Sequence, residues 1–122
     1  MLKVNLASLD FFSKKQVSLL NDLVAINKQL MPHVVAGATG CRLEEAMALL
    51  IFLYDKDLAD GYILTYHSKH QDFYFMKRPL KEGLLKIDSL FCQVCEEKIE
   101  NENDLLYDFE FVINKEEVKF EV

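Results

Sequence analysis

Nine consecutive residues, Ala46 to Tyr54, carry no charged or amide side chain, and few folds accommodate such a run. A surface helix alternates apolar and polar faces, so a helix that is greasy all round is either packed on both sides or meets a partner. The run is far short of the roughly 20 apolar residues that span a bilayer. Immediately before it stands Val35-Ala36-Gly37-Ala38-Thr39-Gly40-Cys41-Arg42-Leu43-Glu44-Glu45. Gly40 suits a left-handed turn, and Ala36, four residues earlier, suits a close crossing of two helices. Leu43, Ala46, Leu49 and Leu50 then recur at helical spacing. This predicts a helix from about Arg42 to about Lys56, pressed back onto a helix from His33 to Thr39. Glu44 and Glu45 in its first turn suit the positive end of the helix dipole.

The flanks extend this pattern. Leu2, Val4 and Leu6 alternate as a short half-buried strand that can pair with the wing. Ser13 and Gln16 form a capping box. Val17, Leu20, Leu23, Val24, Asn27, Leu30 and Met31 then predict a helix of about five turns, closed by Pro32. After Asp60-Gly61, the aromatic and branched residues of Tyr62 to His67 favour a strand, Ser68 to Asp72 a polar tip, and Phe73 to Met76 a return. Over residues 13 to 76 this order resembles a winged helix-turn-helix domain. The resemblance implies an α+β fold of three helices plus a β wing, and DNA readout through the third helix and the wing.

Lys77 to Asp88 reads as a linker. Leu105 to Ile113 and Glu117 to Val122 alternate as two strands, joined into a hairpin by Asn114-Lys115-Glu116. The expected organisation is a winged-helix domain over residues 1–80, with a small β extension over 81–122 packed on it.

His67-Ser68-Lys69-His70 and Cys92-Gln93-Val94-Cys95 supply two pairs of metal-ligand residue types, and four nitrogen or sulfur donors on compact turns can form a tetrahedron. The arrangement resembles a zinc ribbon over residues 62 to 113, with histidines where that family normally has cysteines. It implies zinc, and no other cofactor, on His67, His70, Cys92 and Cys95. A ribbon remnant that folds without metal also fits the sequence, with Phe91, Val94, Ile99 and Leu106 as its core. A redox role for Cys92 and Cys95 lacks the strand–helix–strand context that activates such a pair.

The net charge of −6 is unevenly distributed. Glu96 to Val122 holds ten acids and three bases, whereas residues 1–95 hold ten acids and eleven bases. The helix-turn-helix region is thus close to neutral, well short of a basic nucleic-acid footprint. Nucleic acid is the disfavoured partner, with Arg42, Lys69, Lys77 and Arg78 as the candidate contacts, and Lys81 and Lys86 beyond them. If the far side of the third helix is exposed, Met47, Ile51 and Tyr54 form a patch for a protein partner or homodimer. Neither a phosphate loop, a nucleophile elbow nor a zinc-protease helix motif occurs. The preferred reading is therefore a non-catalytic adaptor or regulatory subunit, and the alternative a dimeric DNA-binding regulator. The opening residues lack a signal-peptide pattern and the three cysteines form no even framework, so a cytoplasmic location without membrane attachment is expected.

Overall fold

The computed structural model describes residues 1–84 and 90–122. It is an α+β fold with three helices and two sheets. In chain order the elements are β1 (Leu2–Asn5), α1 (Lys14–Ile26), β2 (Gln29–Leu30), α2 (Pro32–Thr39), α3 (Leu43–Asp55), β3 (Ala59–His67), β4 (Met76–Pro79), β5 (Leu105–Ile113) and β6 (Val118–Glu121). One sheet has the order β2-β5-β3-β4, and the other is the pair β1-β6. Two compact units share these elements, Met1–Asp60 with Phe111–Val122, and Gly61–Glu110.

In the first unit the expected capping box closes the start of α1. The Ser13 hydroxyl accepts from the Gln16 N–H at 3.1 Å, and the Gln16 side chain accepts from the Ser13 N–H at 3.0 Å. The helix ends at Ile26, earlier than the expected Met31. Asn27 is extended, and its side-chain oxygen accepts from the Gln29 N–H at 2.9 Å. This local turn competes with the helix and places Leu30, fully buried, opposite Phe111. Pro32 therefore opens α2 instead of closing α1, at a position where a missing N–H leaves no helical bond unmade. Gly40 stands at φ 76°, in the left-handed region, with its N–H donating to the Ala36 carbonyl at 2.9 Å. Beyond it, α3 buries Ala46, Leu49, Leu50 and Leu53.

The sequence expectation that β5 and β6 form a hairpin is overturned. The strands form, but β6 pairs in parallel with β1, from Leu2↔Val118 to Asn5↔Glu121, so β1 lies against β6 and not against the wing as expected. Polar groups after β5 direct the chain there. The Lys28 ammonium donates to the Lys115 carbonyl at 2.7 Å and to the Glu116 carbonyl, while the Asn114 N–H donates to the Leu58 carbonyl at 3.0 Å. Asn21 of α1 then brackets Phe120, its amide donating to the Phe120 carbonyl at 3.0 Å and its oxygen accepting from the Phe120 N–H at 2.8 Å. An edge strand carries a row of unpaired backbone groups. Here a side-chain amide satisfies two of them, and the Phe120 ring is buried.

In the second unit β3 continues from Gly61 and β4 pairs with it antiparallel, from Tyr62↔Pro79 to Thr65↔Met76. The returning strand thus lies beyond the expected Phe73–Met76. Of the earlier residues, Phe75 donates its N–H to the Thr65 carbonyl at 2.9 Å. Residues 80–82 of the expected linker form a 3-10 turn, while residues 85–88 of it, Lys86 included, lie outside the described residues. Leu90 to Ile99 fold into a tight hairpin, with the bridge Phe91↔Lys98 and the Ile99 N–H donating to the Leu90 carbonyl at 2.9 Å. The core comprises Phe75, Leu90, Cys92, Ile99 and Leu105. Of the metal-free core expected from sequence, only Ile99 is buried, whereas Phe91, Val94 and Leu106 are exposed. Alternation explains the difference, because a hairpin strand that turns Cys92 inward turns Leu90 inward and Phe91 outward.

Replacing Asn21 by Ala leaves two partly buried backbone groups of β6 unpaired. Its expected effect is a loss of about 2 kcal/mol, read by chemical denaturation with an unchanged dependence on denaturant concentration. A loss under about 0.5 kcal/mol would mean that β6 does not rely on this bracket.

Candidate metal centre

Residues that the sequence separates by 25 positions meet in the second unit. The period-two alternation of β3 puts His67 on the inward face with Ile63 and Thr65, and all three are buried. The Leu90–Ile99 hairpin brings Cys92 and Cys95 to it. Cys92 is fully buried and Cys95 half-buried. One donor atom from each of His67, Cys92 and Cys95 lies within 4.8 Å of the other two.

The hairpin is shaped to present both sulfurs. The Glu96 N–H donates to the Cys92 carbonyl at 2.7 Å, and the Cys92 N–H donates to the Glu97 carbonyl at 2.9 Å. Closing this loop requires Glu96 to sit at φ 61°, in the left-handed region that disfavours side chains with a Cβ. Desolvation raises the Cys95 thiol pKa and the Cys92 thiol adds to that, while the Glu97 backbone N–H, donating to the Cys95 sulfur, acts in the opposite direction. A bound cation inverts this balance, because a coordinating thiol is deprotonated outright.

The donors fit a soft divalent cation. Thiolates and imidazole are the ligands that zinc favours over carboxylate-seeking cations. A tetrahedral zinc with Zn–S of about 2.3 Å and Zn–N of about 2.0 Å sets a sulfur–nitrogen edge of about 3.5 Å. The Cys95 Sγ and His67 Nδ1 are 3.5 Å apart. The cluster His67, Cys92 and Cys95 can therefore hold a metal such as zinc.

His70, the fourth ligand suggested by sequence, is not among these three. Its N–H donates to the His67 carbonyl at 2.8 Å, and its ring centroid lies 5.8 Å from that of His67. Beside the cluster is a polar cleft of about 350 Å³ lined by His67, Lys69, Glu97, Lys98, Glu100 and Asp104. Lys69 and Glu97 form an ion pair at 2.9 Å there. That hydrogen bond holds the Glu97 carboxyl below, and the Lys69 ammonium above, their ordinary pKa values.

All four cations considered for nucleic acid have carboxylate partners within the chain. Arg42 lies 3.5 Å from Glu44 and from Glu45, Lys69 pairs with Glu97, and Arg78 pairs with Glu82 at 3.3 Å. Lys77 donates to Glu110 at 2.8 Å and lies over the Tyr62 ring at 4.4 Å. The apolar patch on α3 behaves differently. Ile51 is 40% exposed and Met47 half-buried, while Tyr54 packs edge-on against Phe111 at 6.4 Å. Leu43, which the sequence reading counted only as core-facing, is 56% exposed. Its spacing of four from Met47 and eight from Ile51 was the available signal. For Glu96 the sequence held no signal, since no glycine or asparagine marks its left-handed turn.

Comparison with protein-family models, with curated proteins and with solved structures found no match to this chain. Among the described residues no helix is long and apolar enough to cross a membrane.

The hydrogen bond to Glu110 raises the Lys77 pKa above its ordinary 10.5, against a smaller opposing effect of desolvation. A raised folded-state value means that the pair's stabilisation is fully present below the unfolded pKa and is lost as pH rises through the folded one. Glu110→Gln is expected to return the Lys77 value toward 10.5 in an NMR titration and to change stability at neutral pH by less than about 1 kcal/mol. An unmoved Lys77 titration would mean that the pair does not persist in solution.

Proposed function

We propose that this chain is a non-catalytic interaction module built on a winged helix, and that the outer stripe of α3 docks a protein partner. The observation that carries this reading is the exposure of Leu43 and Ile51, at 56% and 40%, along the edge of the face on which Ala46, Leu49, Leu50 and Leu53 are fully buried. Met47, half-buried between them, completes an apolar ridge at i, i+4 and i+8. Apolar side chains aligned on one exposed helix face suit helix-in-groove or helix-on-helix docking, and scattered surface leucines do not.

Winged-helix order supports the same reading. Three helices precede β3 as the outgoing strand and β5 as the returning one, with β2 paired to β5. Residues 68–84 and 90–104 are then an enlarged wing that contains β4 and the cysteine hairpin. In this reading one zinc ion on His67, Cys92 and Cys95 staples the wing. Nucleic acid is disfavoured because Arg42, Lys69, Lys77 and Arg78 each have a carboxylate neighbour that would meet phosphate with like charge.

Matched affinity captures from the native host test the docking face. Wild-type chain and an exposed-site control, Lys56→Glu, are expected to retain the same partner, and Ile51→Glu is expected to lose it at least tenfold. If the mutated residue sits at the centre of the contact, a loss of that size corresponds to about 1.4 kcal/mol. Partner binding that is indifferent to Ile51, or salt-dependent binding of duplex DNA that is lost on Lys69→Ala, would overturn the proposal.

A further inference from the structure

Among the described residues, the three-residue cluster leaves one tetrahedral position without a protein donor, and the occupant of that position decides what kind of site this is. Closed four-ligand zinc sites are structural, whereas three-ligand sites keep a position for water or substrate. We infer that His70 is the fourth ligand, so that the centre is a closed His₂Cys₂ zinc site tying the end of β3 to the Leu90–Ile99 hairpin. This deepens the reading of a zinc-stapled wing and rests on it.

Geometry favours His70 over solvent. Two imidazoles on one tetrahedral zinc, with Zn–N of about 2.0 Å, hold their ring centroids about 5 Å apart. The His67 and His70 centroids are 5.8 Å apart, with ring planes tilted by 55°. His70 is half-buried, and a change of its side-chain rotamer is the movement that would bring a ring nitrogen toward the other three donors. The backbone already stands in place. The His70 N–H donates to the His67 carbonyl at 2.8 Å and the two residues form an isolated antiparallel bridge, so the turn is closed before any ring moves.

The Glu97 carboxylate, which lines the adjoining cleft, does not compete well for the position. Glu97 is held by the Lys69 ammonium at 2.9 Å, and recruiting it would break that pair and place a third anion beside two thiolates. A neutral imidazole adds no charge, leaving zinc and two thiolates formally neutral. In a site whose other donors are largely desolvated, a charge-neutral assembly is strongly preferred to an anionic one. Zinc thus joins two segments that are 22 residues apart in sequence, from His70 to Cys92.

The full chain, purified without chelator, is expected to carry one equivalent of zinc by elemental analysis, and its cobalt-substituted form is expected to give the intense visible absorption of a tetrahedral ion. His70→Ala should weaken zinc binding in chelator competition by at least about tenfold, the lower bound seen when even an outer partner of a ligand is removed. His70→Cys should restore binding and strengthen the sulfur-to-cobalt charge-transfer band. Lys69→Ala, in the same turn, should leave both readouts unchanged. If His70→Ala matches wild type in zinc affinity and cobalt spectrum, His70 is not a ligand, although the stapled wing stands. Absence of zinc or cobalt binding by wild type would overturn both, and circular dichroism on each variant separates loss of a ligand from loss of the fold.

Discussion

Side chains on β3 alternate between two faces, so burying Ile63 and Thr65 necessarily carries His67 inward as well. An imidazole buried at a strand end needs a polar partner, and in this chain the partner is the Cys95 sulfur at 3.5 Å. The same parity rule acts on the facing hairpin, where Cys92 turns inward together with Leu90 and leaves Phe91 in solvent. The small core of the second unit, Phe75, Leu90, Ile99 and Leu105 around Cys92, is therefore arranged by the two strands that bring His67 and Cys92 inward. Modest apolar burial of this kind is the circumstance in which small folds use a metal as a staple.

In the first unit a different device plays the organising part. Strands β1 and β6 meet in a parallel pair, and neither belongs to the larger sheet. Polar side chains of α1 and its exit hold this arrangement, Asn21 by bracketing Phe120 and Lys28 by collecting the carbonyls of Lys115 and Glu116. Apolar burial then supplies most of the driving force, through residues such as Leu6, Leu20 and Phe120. On α3, Leu43 and Ile51 stay largely outside that burial, at 56% and 40% exposure.

Local chemistry was readable in the sequence wherever one short segment determined the outcome. The Ser13/Gln16 capping box, the left-handed Gly40 and the Leu43–Asp55 helix all follow from neighbours within four residues. The Cys92/Cys95 pair and the distant His67 were also legible as ligand types. Long-range decisions were not. Strand β6 alternates equally well for pairing with β5 or β1, and the contacts that favour β1, from Asn21 and Lys28 among others, come from residues distant in sequence. The end of α1 turned on a side-chain turn at Asn27 against a helical apolar spacing that runs on to Met31. Parity of the cysteine hairpin likewise required knowing which way Cys92 faces, and a one-residue slip exchanges Leu90 for Phe91 in the core.

The direct measurement is X-ray absorption at the zinc edge on the full chain prepared without chelator. A first shell of two sulfurs at about 2.3 Å and two nitrogens at about 2.0 Å is the predicted result. A shell of oxygens alone, or a protein that holds no zinc, would contradict the view that the second unit is assembled around His67, Cys92 and Cys95.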